Sequence, residues 1–251
     1  MGELTIGGFS IGVFESVVAT LVVAVAGTGV KLLLGLRGAR PGWHQATAED
    51  LMQSGRILVI DNQGEEELAH ISQMRKRGFK VERWDRVIPG KAKTIGLSFD
   101  LLLLDNRDVT DDFGAESGLQ AVKLLRRDNP WVPIFIFTSY EGDIPPSDKR
   151  QLTQMRVGLL PKMTPYADME KVLIHALARA REQDYFLSIL KDELRLGNPD
   201  QALSACTDKR SGSAALALEV SSPIDRSRAE RVLHVARDVY HGKRWSKKSK
   251  S

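Results

Sequence analysis

The central part of the chain alternates between short apolar runs and longer segments with helical spacing. The apolar runs predict five β-strands, at residues 56–61, 79–85, 99–105, 132–139 and 159–162. Apolar residues three and four positions apart predict helices between and after them, at residues 65–78, 118–130, 148–158 and 166–183. Strands that alternate with helices favour right-handed crossovers and a parallel sheet with helices on both faces. We therefore predict an α/β fold with a doubly wound, five-stranded parallel sheet.

The most apolar strand runs directly into a carboxylate. Four leucines at residues 101–104 are followed by Asp105. Such a continuous apolar run is typical of a strand that is covered on both faces. In open parallel sheets, ligands bind beyond the carboxyl ends of the strands. The pattern therefore predicts that Asp105 lies at the functional edge of the sheet.

Polar residues also end three other predicted strands. Asp61 ends the first strand, Thr138 lies near the end of the fourth, and Lys162 ends the fifth. Each of them alone is equally well explained as a polar cap on a strand end. Two acids, a hydroxyl and a lysine that converge on one edge predict a site.

The segments "ILVIDN", "DLLLLD", "VPIFIFTS" and "LLPK" resemble the receiver domain of two-component response regulators. The resemblance covers about residues 56–180 and implies the flavodoxin-like receiver fold. It implies that Asp105 accepts a phosphoryl group from a histidine kinase or another phosphodonor, and that Thr138 and Lys162 contact the phosphate. It also implies a Mg²⁺ ion held by Asp61, Asn62 and Asp105.

The chemistry of these residue types agrees with the implied roles. A carboxylate that attacks phosphorus needs its own charge and the phosphoryl charge neutralised. Mg²⁺ prefers hard oxygen ligands, and a lysine provides a mobile positive charge for phosphate. The implied protein is a phosphorelay component that switches the binding of an output protein, and not an enzyme.

Several positions depart from the receiver pattern. Asn62 replaces the usual second acid, Met163 follows the lysine where proline is usual, and Leu159 replaces the usual aromatic residue. The loop at residues 105–118 is longer than usual and contains Asp108, Asp111 and Asp112 as further acids. These departures leave a second hypothesis open, in which a degenerate receiver acts as a phosphorylation-independent scaffold for protein interaction.

The N-terminal 40 residues are predicted to be a membrane anchor. A helix over residues 13–36 would be about 36 Å long, enough to cross a hydrocarbon core of about 30 Å. Lys31, Arg37 and Arg40 follow or end the segment, so the positive-inside rule places the N-terminus outside and the receiver domain in the cytoplasm. A cleaved signal peptide, suggested by the "AVA" before Gly27, and a buried core helix remain alternatives.

Residues 41–55 are predicted to be a linker with a short helix capped by Thr47. The receiver-like domain is assigned to residues 56–183, and residues 184–251 are assigned to a helical extension with a basic tail. The helical pattern at residues 166–196 suggests a stalk that could support a homodimer. No motif for catalysis or for folded recognition of nucleic acid occurs in this extension.

The formal net charge of +4 depends strongly on the C-terminal tail. Residues 241–250 contain no acid and five basic residues, Lys243, Arg244, Lys247, Lys248 and Lys250. A solvated tail, contact with anionic lipid and binding of nucleic acid are the three interpretations, and nucleic acid is the weakest because one aromatic residue accompanies the charges. The lone Cys206 excludes an intramolecular disulfide.

Overall fold

The computed structural model describes residues 42–43, 46–63, 69–110, 117–139, 142, 144–208 and 223–243. The predicted membrane helix at residues 13–36 and the basic tail beyond Lys243 lie outside these ranges. Within them, no helix combines the length and the apolar character needed to cross a membrane.

The predicted five-stranded parallel sheet is confirmed. Its strands run in the spatial order β2-β1-β3-β4-β5, and every neighbouring pair is parallel. This order is that of the flavodoxin-like doubly wound fold. The strands are β1 (Arg56–Ile60), β2 (Lys80–Trp84), β3 (Leu101–Leu104), β4 (Ile134–Thr138) and β5 (Val157–Pro161).

Helices connect the strands and continue beyond the last one. The helices that pack against the two faces of the sheet are α1 (Ala48–Ser54), α2 (Ala69–Arg77), α3 (Ala92–Ser98), α4 (Ser117–Asp128), α5 (Pro146–Gln154) and α6 (Tyr166–Arg179). Beyond the sheet lie α7 (Gln183–Ser188), a π-helical turn (Ile189–Glu193), α8 (Pro199–Thr207) and α9 (Pro223–Tyr240).

Alternate residues of the central strands enter two separate cores, one on each face of the sheet. In β1, Leu58 and Ile60 pack with α3 and α4, whereas Ile57 and Val59 pack with α1, α2 and α6. The side chains of β3 divide in the same way. This explains why the strands lack polar alternation: with both faces covered, each position needs an apolar side chain.

The segment before the sheet belongs to the folded unit. Thr47 accepts a hydrogen bond from the backbone N–H of Asp50, whose carboxylate accepts one from the backbone N–H of Thr47. The predicted cap is therefore confirmed, and it forms a capping box. Trp43 packs against Phe186 and Tyr240, with ring centroids 5.7 and 5.6 Å apart, so part of the predicted linker is held by the C-terminal helices.

The C-terminal helices share a core with the sheet. The buried Phe186, Leu190 and Val232 belong to the same cluster as the apolar residues of α3 and α4. Arg156, which precedes β5, also contacts the C-terminal helices, because it forms an ion pair with Asp192 at 2.6 Å. Whether residues 184–251 form a separate domain stays a prediction, but their described helices complete the core of the sheet.

Three local predictions need correction. The helical region at residues 166–196 is not one stalk, because α6 ends at Arg179 and α7 turns back into the core. The strand β5 begins at Val157, inside the predicted helix at 148–158, because Arg156 has the left-handed φ of 55° that ends a helix. The sequence pattern does not predict the helix α3, because Pro89 and Gly90 directly precede it and Gly96 lies within it, and all three are poor helix formers.

Candidate functional site

The ends of four strands meet at one edge of the sheet. Asp61 directly follows β1, Asp105 directly follows β3, Thr138 is the last residue of β4, and Lys162 directly follows β5. The backbone fixes these positions through hydrogen bonds from the N–H of Asp105 to the oxygen of Ile60 and from the N–H of Lys162 to the oxygen of Thr138, both 2.8 Å long. The sheet therefore brings the predicted site residues to one edge.

The ammonium group of Lys162 is the centre of this cluster. Its Nζ lies 2.6 Å from Oδ2 of Asp61 and 3.5 Å from Oδ1 of Asp105. The side chain of Lys162 is 9% exposed and those of Asp61 and Asp105 are 0% and 13% exposed, so the three charges interact with little water between them. The lysine holds both carboxylates at once but lies closer to Asp61.

Gln63 also contacts the lysine, although no sequence pattern singles it out. Its Oε1 accepts a hydrogen bond of 2.9 Å from Nζ of Lys162, and its backbone N–H donates to Oδ1 of Asp61 at 2.9 Å. The only signal in the sequence was its place two residues after Asp61. Gln63 thus helps to hold Asp61 and Lys162 in one arrangement.

The carboxylate of Asp105 lies in an environment that disfavours its charge. Burial raises its pKa, and the negative charge of Asp61 raises it further. The ammonium of Lys162 and a hydrogen bond of 2.8 Å from the backbone N–H of Asn106 act in the opposite direction, but burial dominates. A desolvated carboxylate with a raised pKa is typical of functional sites.

Thr138 fits the position implied for it at the edge of the sheet. Its side chain is almost fully buried, and it lies on β4 opposite Pro161, one residue before Lys162. Thr138 therefore lies beside the end of β5, which Lys162 directly follows.

Asn62 lies differently from the carboxylates. Its side chain is exposed, and it lines an open groove on the side of β2 together with Arg83, Trp84 and Lys91. Arg83 donates a hydrogen bond of 2.9 Å to the backbone oxygen of Asp61 and pairs with Asp85. The structure thus does not bring the amide of Asn62 into the buried cluster formed by Asp61, Asp105 and Lys162.

The donor chemistry of the cluster suits Mg²⁺ in part. Two buried carboxylates are the kind of ligand set that binds Mg²⁺ while the ion keeps several waters. The described residues contain no group of three His, Cys, Asp or Glu side chains arranged for a metal. Asp61 and Asp105 could therefore hold Mg²⁺ with water as further ligands, in competition with the ammonium of Lys162.

His70 is a second neighbour that the sequence did not indicate. It lies in the first turn of α2, and its Nε2 is 2.7 Å from the backbone oxygen of Lys162. The predicted helix at 65–78 included His70, but the direction of the side chain depends on how α2 packs against the sheet.

Comparisons with known proteins give similar folds at low sequence identity. A receiver domain protein from Methanospirillum hungatei is 16% identical, covers 50% of this chain and 95% of its own, and has a TM-score of 0.41. One from Clostridium thermocellum is 18% identical, with coverages of 50% and 95% and a TM-score of 0.40.

A third receiver protein, from Sinorhizobium medicae, is 20% identical, covers 52% of this chain and 99% of its own, and has a TM-score of 0.37. No family model and no curated protein matches the chain. Solved receiver domains are thus among the structures that this chain is similar to.

Proposed function

We propose that this protein is a membrane-anchored, response-regulator-like receiver that accepts a phosphoryl group on Asp105 and then changes its binding to an output protein. The observation that supports this most is the contact of Lys162 with both Asp61 and Asp105 at the carboxyl edge of the sheet. This is the edge at which ligands of doubly wound sheets bind.

The proposed step is an in-line transfer. An oxygen of Asp105 forms a bond to phosphorus as the bond from phosphorus to the donor atom breaks, and the leaving group departs with that electron pair. The donor atom is an imidazole nitrogen in a phosphohistidine and an oxygen in acetyl phosphate. Asp105 must be ionised to attack, and the ammonium of Lys162 stabilises the negative charge that arrives. When bound, Mg²⁺ would neutralise phosphoryl charge, with Asp61 and Asp105 as its proposed protein ligands and Asn62 as a more distant candidate.

The transfer requires Lys162 to change partners. In the structure its Nζ lies closest to Asp61, at 2.6 Å. A phosphoryl group on Asp105 would add negative charge within reach of the ammonium and draw it away from Asp61. The hydroxyl of Thr138, at the end of the adjacent strand, is the proposed second contact of the phosphoryl group. This change of contacts is the local event that would alter the surface presented to a partner.

Intact-mass measurement tests the proposal. The full-length chain in detergent is incubated with acetyl phosphate, with and without Mg²⁺, beside Asp105→Asn and the exposed-site control Asp168→Asn. We expect wild type and Asp168→Asn to gain one phosphoryl group, and Asp105→Asn to gain none. Equal labelling of wild type and Asp105→Asn would contradict the assignment.

A degenerate receiver that acts as a scaffold is the second candidate. It is favoured by the ammonium of Lys162, which already contacts both carboxylates, and by the exposed Asn62, which lies outside the buried cluster. Under this proposal Asp105→Asn leaves partner binding unchanged. The scaffold would be favoured if neither acetyl phosphate nor a histidine kinase phosphorylates the wild-type protein and the protein still binds its partner.

We propose that residues 13–36 anchor the protein as a single membrane helix, with the N-terminus outside and the receiver in the cytoplasm. The support is the apolar sequence and the basic residues that follow it. We expect the full-length chain to remain with membranes after an alkaline carbonate wash. Recovery of the uncleaved chain in the soluble fraction would contradict the anchor. A histidine kinase, an output protein and a second copy are the proposed protein partners, and nucleic acid is not among them.

A further inference from the structure

The backbone of Lys162 is held at both of its polar groups. Its N–H donates to the oxygen of Thr138 at 2.8 Å, and its own carbonyl lies 2.7 Å from Nε2 of His70. A carbonyl can only accept a hydrogen bond, so Nε2 must carry the proton in this contact. His70 therefore donates to the main chain of the residue whose side chain contacts Asp61 and Asp105.

This contact lies where the chain leaves the sheet. The strand β5 ends at Pro161, and Met163, which follows the lysine, is 83% exposed. Because β5 is an edge strand that pairs only with β4, no strand of the described sheet lies on the other side of Lys162. The hydrogen bond from His70 therefore holds this carbonyl just beyond the end of the sheet.

The ring of His70 is itself held by aromatic contacts. Its centroid lies 6.3 Å from that of Tyr166, in a stacked arrangement, and 6.1 Å from that of the buried Phe137. The same Phe137 ring lies 5.8 Å from Nζ of Lys162. The backbone of Lys162 thus contacts the ring of His70, its ammonium lies near the ring of Phe137, and these two rings contact each other.

We propose that His70 is a positioning residue for Lys162, and that its Nε2–H bond keeps the ammonium between Asp61 and Asp105. The proposal deepens the proposed function and rests on it, because the position of Lys162 matters for phosphoryl transfer only if Asp105 is the acceptor. His70 acts through the main chain and does not touch the reacting atoms.

Two substitutions of His70 test its hydrogen-bond donor and its aromatic contacts separately. His70→Gln keeps a donor that can reach the carbonyl of Lys162, and His70→Phe keeps the ring contacts without a donor. The full-length chain in detergent is treated with formaldehyde and a borohydride reductant, and methylation of Lys162 is measured by peptide mass. Lys171, whose side chain is 77% exposed, is the internal reference.

We expect Lys162 to react slowly in wild type and His70→Gln, and about tenfold faster in His70→Phe, which is the effect of losing roughly one buried hydrogen bond. The rate of phosphorylation by acetyl phosphate should fall by a similar factor in His70→Phe alone. Equal reactivity of Lys162 in wild type and His70→Phe would overturn the proposal. So would equally fast reaction in both variants, because the donor would then not matter.

The methylation result can be read even if no form of the protein is phosphorylated. In that case the proposed function fails while the role of His70 in placing Lys162 is still decided. If His70→Phe does not fold, ¹⁵N NMR of the wild-type ring provides the test. We expect the proton of the neutral ring on Nε2, and a proton on Nδ1 alone would overturn the proposal.

Discussion

At the scale of single residues, we expect one carboxylate of the site, Asp61, to stabilise the fold and the other, Asp105, to destabilise it. Asp61 is fully buried and lies 2.6 Å from Nζ of Lys162. Asp105 lies farther from Nζ, at 3.5 Å, and its burial raises its pKa. A raised pKa means that the charged carboxylate is less stable in the folded than in the unfolded chain. The ionised carboxyl group of Asp105 is therefore expected to lower the stability of the fold.

We expect Asp105→Asn to increase the free energy of unfolding at pH 7 by about 1 kcal/mol, as is common when a functional charge is removed from a site. Below the ordinary Asp pKa of 3.8, the carboxyl is protonated in both folded and unfolded chains, so the difference should vanish. It should grow as the pH rises from 3.8 to the raised pKa and stay constant above it. Urea unfolding between pH 4 and 8 measures it, and a less stable Asp105→Asn at pH 7 would refute the argument.

Asp61→Asn should have the opposite effect. It removes the nearest partner of the buried ammonium, and breaking one side of a buried ion pair typically costs about 3–5 kcal/mol. We expect a loss at or below the lower end of this range, about 2–3 kcal/mol, because Asp105 and Gln63 still contact Lys162. The same urea measurements at pH 7 provide the comparison. An unchanged stability would show that the contact between Asp61 and Lys162 contributes little.

At the scale of elements, α3 is docked by side chains from the loop that follows α4. The buried Asn129 accepts from the N–H of Gly96 at 2.9 Å and donates to the oxygen of Ala92 at 2.6 Å. The indole N–H of Trp131 donates to the oxygen of Gly96 at 3.0 Å. These bonds require the backbone of α3 to come so close that position 96 has no space for a side chain.

We expect Gly96→Ala to destabilise the fold by about 1–3 kcal/mol, which is the usual cost of overpacking. A Cβ at this position would lie 2.5 Å from Oδ1 of Asn129 and 2.9 Å from the ring of Trp131. Gly90→Ala is the matched control, because nothing lies within 4 Å of its added Cβ. Thermal unfolding followed by circular dichroism compares them, and equal melting temperatures would contradict the expectation.

The sequence predicted elements where a local pattern determines them. The strands, including Leu101–Leu104, follow from apolar runs, and the cap at Thr47 follows from spacing alone. The convergence of Asp61, Asp105 and Lys162 follows from the rule for parallel strand ends. Their roles in phosphoryl transfer stay predictions.

Other features depend on distant contacts that no local pattern contains. The helix α3 is held by Asn129, 33 positions from Gly96, and overrides a poor helical propensity. His70 reaches the carbonyl of Lys162 across 92 positions of sequence. The early start of β5 needs the left-handed Arg156, a conformation that a sequence suggests only when glycine occupies the position.

At the scale of the whole molecule, the core of the sheet continues into the C-terminal helices. Leu190, in the π-helical turn, is fully buried in the same cluster as Leu58 and Leu102. The ion pair between Arg156 and Asp192 and the contacts of Trp43 tie the same region to β5 and to the chain before α1. The helices beyond residue 183 are therefore expected to unfold together with the sheet.

We expect Leu190→Ala to lower the free energy of unfolding by about 2–5 kcal/mol, through lost transfer energy and a cavity. Unfolding should remain a single transition when it is followed both by circular dichroism and by tryptophan fluorescence. Met163→Ala is the control, because Met163 is 83% exposed and should change stability by less than about 0.5 kcal/mol. Two separate transitions, with the sheet unaffected by Leu190→Ala, would show that the extension folds independently.

The claim on which the whole account depends is that a phosphoryl group resides on Asp105. Aspartyl phosphate is reduced by borohydride to homoserine, so the full-length protein can be treated with acetyl phosphate and Mg²⁺, reduced, digested and sequenced by mass spectrometry. The account predicts homoserine at position 105 and unmodified aspartate at positions 61, 108, 111 and 112. Homoserine at one of these other positions, or at none while a cognate kinase is present, would contradict it.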